Sequence, residues 1–241
     1  MIYESYDILH FIIIFLCVVI SITLHEYAHA RVALWNGDYT AKAAGRLTLN
    51  PLKHFDPIGF FMLMIAGFGY AKPVPVNPYN FKRRTRGIFT VAIAGVTVNI
   101  LLAFISAGFL VLINKTAVGV AGGSGGAAAV ATSFVYFFFY FFYYMLAINV
   151  SLFLFNLIPL YPLDGFRVVE AFTRYSNPVT RFLREYGRFI LLGLIGIHIL
   201  IDALNLIAYW PGFMYVDLFG LYIGRVGLMI RNGFIMFWGL F

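Results

Sequence analysis

From Ile8 to Thr23 the chain carries sixteen residues without a formal charge, and the apolar pattern continues to Trp35. A helix of that length crosses about 30 Å of hydrocarbon. Asn36-Gly37-Asp38 then supplies a stop. Comparable runs follow at Ile88–Ile113, Phe134–Ile158 and Phe189–Tyr209, which predicts four membrane spans. The tail from Phe213 to Phe241 is apolar but holds Asp217, Arg225 and Arg231, a pattern that fits either a fifth span or an interfacial helix. Between the first two spans the pattern changes. Within Thr40 to Asn50, Ala44-Gly-Arg-Leu-Thr-Leu-Asn50 reads as a short strand rather than a helix, ended by Pro51. Pro57 to Ala71 is a run of 15 uncharged residues between Asp56 and Lys72, too short to span. It reads as a re-entrant loop, a backbone tolerated at membrane depth only against protein or a wet cavity. Lys72-Pro-Val-Pro-Val-Asn-Pro78 is held extended by its prolines. Residues 119–133 contain only Gly, Ala, Val, Ser and Thr and read as a low-complexity loop. Pro159 and Pro162 break the third span, and a basic amphipathic stretch, Arg167 to Arg188, leads into the fourth. The expected architecture is an all-α, multi-span membrane bundle with a re-entrant loop and short β-strands. It forms one domain over residues 1–241, with its core at 8–190.

Composition agrees with that pattern. The chain is 62% hydrophobic and 11% charged, against roughly 45–50% apolar for soluble domains. The lone Cys17 excludes an intrachain disulfide. Glu4 and Asp7 stand where a cleavable signal peptide would be basic. The net charge of +7 sits in short loops between spans, which suits anionic lipid and argues against nucleic acid. Nine Lys and Arg lie between the first two spans (counting the end of the first), one between the second and third, and five between the third and fourth. The positive-inside rule therefore expects a multi-pass cell-membrane protein with its N-terminus outside and its first and third loops in the cytoplasm.

Chemistry enters at His25-Glu26-Tyr27-Ala28-His29. Histidines four apart share one face of a helix, so both imidazoles reach one metal ion, and the Glu beside the first is suited to act as general base. An ionisable cluster inside an apolar helix is costly and points to function. A catalytic zinc needs a third protein ligand and one open position. Asn156-Leu-Ile-Pro159-Leu-Tyr-Pro162-Leu-Asp164-Gly165 lies where the third span returns to the same side. There the prolines open the helix, Gly165 permits a tight turn, and Asp164 can point back into the bundle. A site of His25, His29 and Asp164, with one Zn2+ per chain, results. A strand edge is a natural clamp for an unwound substrate, which makes Leu47, Leu49, Val74 and Val76 candidates for substrate binding. His10 and His198 read as packing residues and His54 as exposed.

With both motifs in view, the sequence resembles the site-2 protease family of intramembrane zinc metalloproteases. Gly45-Arg-Leu-Thr-Leu-Asn-Pro51 and Ala71-Lys-Pro-Val-Pro-Val-Asn-Pro78 are similar to segments of its compact prokaryotic members, and no room is left for a PDZ or CBS domain. The resemblance implies His25, His29 and Asp164 as zinc ligands and Glu26 as the residue that activates water. It implies that Asn156 holds the substrate carbonyl or oxyanion, and it places Asn99 in a family Ala-Gly…Asn motif near the substrate. Val96 and Tyr161 stand where that family commonly has proline. The implied activity is peptide-bond hydrolysis in or near transmembrane segments of membrane-protein substrates. The competing readings are a divalent-metal transporter, which would not require Glu26, and an inactive metal-bound scaffold.

Overall fold

Unbroken apolar sequence without helix breakers gives long helices, and backbone groups in hydrocarbon have to be satisfied within the segment. The computed structural model follows this rule; it describes residues 8–59, 62, 71–120, 126–173, 177–208 and 217–241. Helix α1 spans Ile8–Trp35, α3 Arg84–Val120, α4 Gly126–Leu157 and α6 Pro178–Ala208. Among the described residues these four are long and apolar enough to cross a membrane. Shorter helices among the described residues include α2 at Thr40–Ala43, α5 at Asp164–Phe172 and, after α6, α7 at Leu218–Gly220. A π-helical turn, Leu221–Val226, leads from α7 into α8, Gly227–Gly239.

Helices α1, α3 and α4 form the centre. Ile13, Cys17 and Met145 are buried there, with Leu102 and Tyr140 packed against them. The tail lies alongside the spans. Tyr222, Ile230 and Phe234 pack on a core of Ala103, Ala107, Leu146 and Val150, and the indole N–H of Trp238 donates to the Phe104 carbonyl at 2.9 Å. Helix α5 is tied to α6 by Glu170, which accepts from Arg184 at 2.6 Å and from Arg167 at 3.0 Å.

Three expectations change. No strand occurs among the described residues. Thr40–Ala43 is helical, Gly45 follows at φ +66°, and the next residues bend. Their backbone is satisfied by side chains instead of a partner strand: the Thr48 carbonyl faces His54 Nε2 at 2.8 Å, and the Asn50 side chain caps the turn at Pro51–Lys53. That role buries His54 to 1% exposure, against the expected exposed loop. The low-complexity stretch is helical from Gly126 onward, since its Ala-rich half favours helix once it leads into a span. The expected re-entrant loop lies for the most part outside the described residues.

Candidate active site

Histidines four apart on α1 do come together. His25 Nε2 and His29 Nε2 are 2.9 Å apart, and Asp164 Oδ2 lies 3.2 Å from each. Asp164 is the first residue of α5, carried there by the break after α4. Gly165 serves this turn by close approach rather than by a left-handed backbone. A Cβ on it would press on the carbonyl oxygens of Leu157 and Ile158.

The positions of the imidazole protons follow from the partners. Asn149 Nδ2 donates to the Met145 carbonyl at 2.8 Å, and a carbonyl can only accept. Asn149 Oδ1 therefore accepts from Asn99 Nδ2 at 2.8 Å. Asn99 is thereby oriented with Oδ1 toward His25 Nδ1, at 2.6 Å, so that nitrogen carries the proton. His29 Nδ1 likewise donates to the Val91 carbonyl at 2.7 Å. Both Nε2 atoms are then bare acceptors facing each other and a carboxylate oxygen. Asp164 Oδ2 is itself buried with no hydrogen-bond partner among the described residues. Three converging acceptors without a donor repel one another unless a cation lies among them. Ligand atoms around one tetrahedral zinc, each about 2.0–2.2 Å from it, stand roughly 3.3–3.6 Å apart, a few tenths of an ångström wider than the 2.9–3.2 Å found here. The residues fit a zinc ion.

The second helix is shaped to this site. A Cβ on Gly95 would meet His29 Nε2 at 2.5 Å and His25 Nε2 at 2.6 Å, so α3 can pass only with glycine there. Val96, where proline is common in the family, leaves α3 an unbroken helix. The polar chain from His25 through Asn99 and Asn149 ends at Ser21, whose hydroxyl accepts from Asn149 Nδ2 at 2.8 Å and donates to the Cys17 carbonyl at 2.7 Å. This chain joins α1, α3 and α4. Sequence reading missed Asn149 and Ser21, which resemble ordinary polar residues in a span.

His25, Glu26, His29 and Asp164 line a cavity of about 450 Å³ together with Asn156 and Val74. Glu26 Oε2 accepts the backbone N–H of Val74 at 2.9 Å. Asn156 uses one amide hydrogen on the Leu152 carbonyl at 3.0 Å and faces the cavity. Val76 also lines it, whereas Leu47 and Leu49 do not, and Leu49 is 57% exposed. Asn99 is fully buried behind His25, so it is placed to orient a ligand rather than to touch substrate. The extended segment 71–77 is anchored from both sides. Arg46 donates to the Lys72 carbonyl, the Lys72 N–H donates to the His54 carbonyl at 3.0 Å, and the Asn77 N–H donates to Asp38 Oδ2 at 2.7 Å.

Comparison with known proteins gives the same direction. The model described as "Peptidase family M50" matches residues 13–195. A protein of Bacillus subtilis (strain 168) named "Putative zinc metalloprotease YwhC" is 44% identical over 152 residues, 63% of this chain and 65% of that protein. "Putative zinc metalloprotease Rip2" of Mycolicibacterium smegmatis is 28% identical over 177 residues, 71% of this chain and 60% of that protein. The chain thus spans less than two thirds of the length of these curated relatives. No solved structure matches it significantly.

Proposed function

We propose, for a chain that belongs to peptidase family M50, that it is a zinc endopeptidase cutting membrane proteins in or near their transmembrane segments. One observation carries this reading: Nε2 of His25, Nε2 of His29 and Oδ2 of Asp164 converge without a proton among them, in the cavity that holds Glu26. His25, His29 and Asp164 would hold the ion. Zinc, when bound, lowers the pKa of its water and polarises the scissile carbonyl. Glu26 would take a proton from the attacking water and return it to the leaving nitrogen, and the Val74 N–H fixes which way its carboxylate points. Asn156, with one amide hydrogen uncommitted among the described residues, is suited to the developing oxyanion. A helical substrate segment must unwind before its carbonyl reaches the site, and the extended 71–77 segment along the cavity supports pairing with it.

The charge distribution supports a topology with the N-terminus outside and the site toward the cytoplasm. In a Cys17→Ser background, Arg84→Cys should react with impermeant thiol reagents only from the cytoplasmic side. Labelling from outside would reverse the topology. The activity is tested with Glu26→Gln purified in detergent and incubated with a panel of single-span peptides. It should keep its zinc and lose cleavage by at least about 100-fold, the scale of a lost general base. A transporter or scaffold would cleave nothing in either form, and cleavage retained in Glu26→Gln would overturn the assignment of Glu26.

A further inference from the structure

A second group of ligand-type side chains lies on α6, away from the cavity. His198 stands eleven residues beyond Gly187, which abuts Tyr161, a displacement of about 16 Å along the helix. Its Nδ1 is 2.7 Å from Asp217 Oδ2. Asp217 is buried, and its other oxygen accepts the Gly220 N–H at 2.7 Å. With both carboxylate oxygens committed, Asp217 fixes the His198 proton on Nδ1. The His198 Nε2 lone pair is thereby turned toward Asp202, whose Oδ2 lies 3.6 Å away.

That distance is informative. It is too long for a hydrogen bond, but it suits two atoms that share one ion at about 2.0–2.2 Å from each. A buried carboxylate holding the far N–H of an imidazole is also the usual support of a histidine ligand. Two further observations mark the place as built. A Cβ on Gly220 would collide with the Asp217 carboxylate and come within 2.9 Å of His198 Nδ1. The turn can therefore close on the pair only with glycine. Asn205 lies on the same face of α6, seven residues beyond His198 and three beyond Asp202. Its amide oxygen is buried with no hydrogen-bond partner among the described residues.

We propose that His198 and Asp202, with His198 oriented by Asp217, form a second divalent-cation site that takes a borderline ion such as Zn2+. An imidazole nitrogen beside a carboxylate oxygen suits Zn2+ rather than Ca2+ or Mg2+, which take oxygen ligands. The bound ion would brace α6 against the turn that begins the C-terminal segment. None of these residues lines the catalytic cavity, so the site is independent of the peptidase reading.

The test is zinc stoichiometry of the full chain in detergent, measured by equilibrium dialysis and elemental analysis on wild type, Asp202→Asn and His198→Ala. Asp202 is the safer variant, because its side chain is 67% exposed and its loss costs no packing. Each variant should bind one zinc fewer per chain than wild type while cleavage of a single-span peptide stays within about twofold. The comparison is a difference between chains that share the first site, so it holds whether or not that site is catalytic. Equal zinc content in wild type and both variants would overturn the proposal and leave His198 as an ion-pair clasp.

Discussion

Asn99→Leu isolates what the buried polar chain contributes to the metal site. Leucine matches asparagine closely in volume, so the core at this fully buried position stays filled. Two groups lose their partner: the His25 Nδ1–H, now 2.6 Å from the Asn99 oxygen, and Asn149 Oδ1, now 2.8 Å from its nitrogen. In helical membrane proteins such interhelical bonds average about 0.6 kcal/mol and reach about 1.7, so stability in detergent should fall by about 1–3 kcal/mol. The larger effect is on metal binding. With its acceptor gone, His25 no longer has its proton fixed on Nδ1, and loss of such an orienting partner typically costs 10–100-fold in affinity, about 1.4–2.7 kcal/mol. Asn149→Leu is the control: it removes the Asn99–Asn149 bond but leaves Asn99 Oδ1 facing His25. It should destabilise by a similar amount and weaken zinc by less than tenfold, and the double variant should destabilise by less than the sum. Competition against a chelator of known affinity, together with thermal unfolding in micelles, reads both quantities. Zinc affinity unchanged in Asn99→Leu, or reduced equally in both single variants, would refute the orienting role.

Gly95→Ala places a methyl group 2.5–2.6 Å from the two Nε2 atoms, so metal analysis should find the site empty or severely weakened. Gly233→Ala on α8, which meets nothing within 4 Å, should keep its zinc. Asp38 anchors the turn that holds segment 71–77; burial pushes its carboxyl up, but hydrogen bonds from Thr40, Asn80 and the Asn77 N–H more than offset this and hold it below 3.8. A depressed folded-state pKa means the stabilisation is present above about pH 4 and is lost as pH falls through the folded value. Thermal midpoints should therefore drop on acidification below pH 4 by less in Asp38→Asn than in wild type, and identical acid profiles would count against this. Between Lys72 and Asn77 the N–H groups of Lys72, Val74 and Asn77 are already bound and Pro73 and Pro75 have none, which leaves Val76 as the donor for substrate within that stretch. Val76→Pro should lower peptide cleavage at least tenfold with zinc content unchanged, and undiminished cleavage would exclude main-chain pairing there.

What could be read in the sequence was what is local. His25 and His29 are one helical turn apart, so their convergence follows from the 3.6-residue period alone. The apolar runs dictate spans because hydrocarbon leaves the backbone no other partner. Asp164 was within reach because proline and glycine mark a chain reversal, and the charge in the loops put that reversal on the side of the histidines. Residues 44–50 misled because alternating Leu-Thr-Leu imitates a half-buried strand, whereas the buried His54 meets the Thr48 carbonyl and the buried Arg46 reaches across to the Lys72 carbonyl.

The features that escaped are those defined only across helices. Asn149 and Ser21 are separated from His25 in sequence, and nothing in their own neighbourhoods distinguishes them from polar residues that face a bundle. Yet they complete the polar chain behind Asn99, whose donor and acceptor sense is fixed by the Met145 and Cys17 carbonyls, groups that can only accept. Gly95 carries the same lesson in steric form. In the sequence it is a small residue in a span, and only the approach of α3 to two imidazoles makes its missing Cβ a condition for the site. His198 looked like packing because its partners are Asp202 on its own helix and Asp217 beyond the end of that helix. Spacing along one helix can nominate a ligand pair, but the proton positions that turn the pair into a metal site are set by whatever the neighbouring helices bring to the other ring nitrogen.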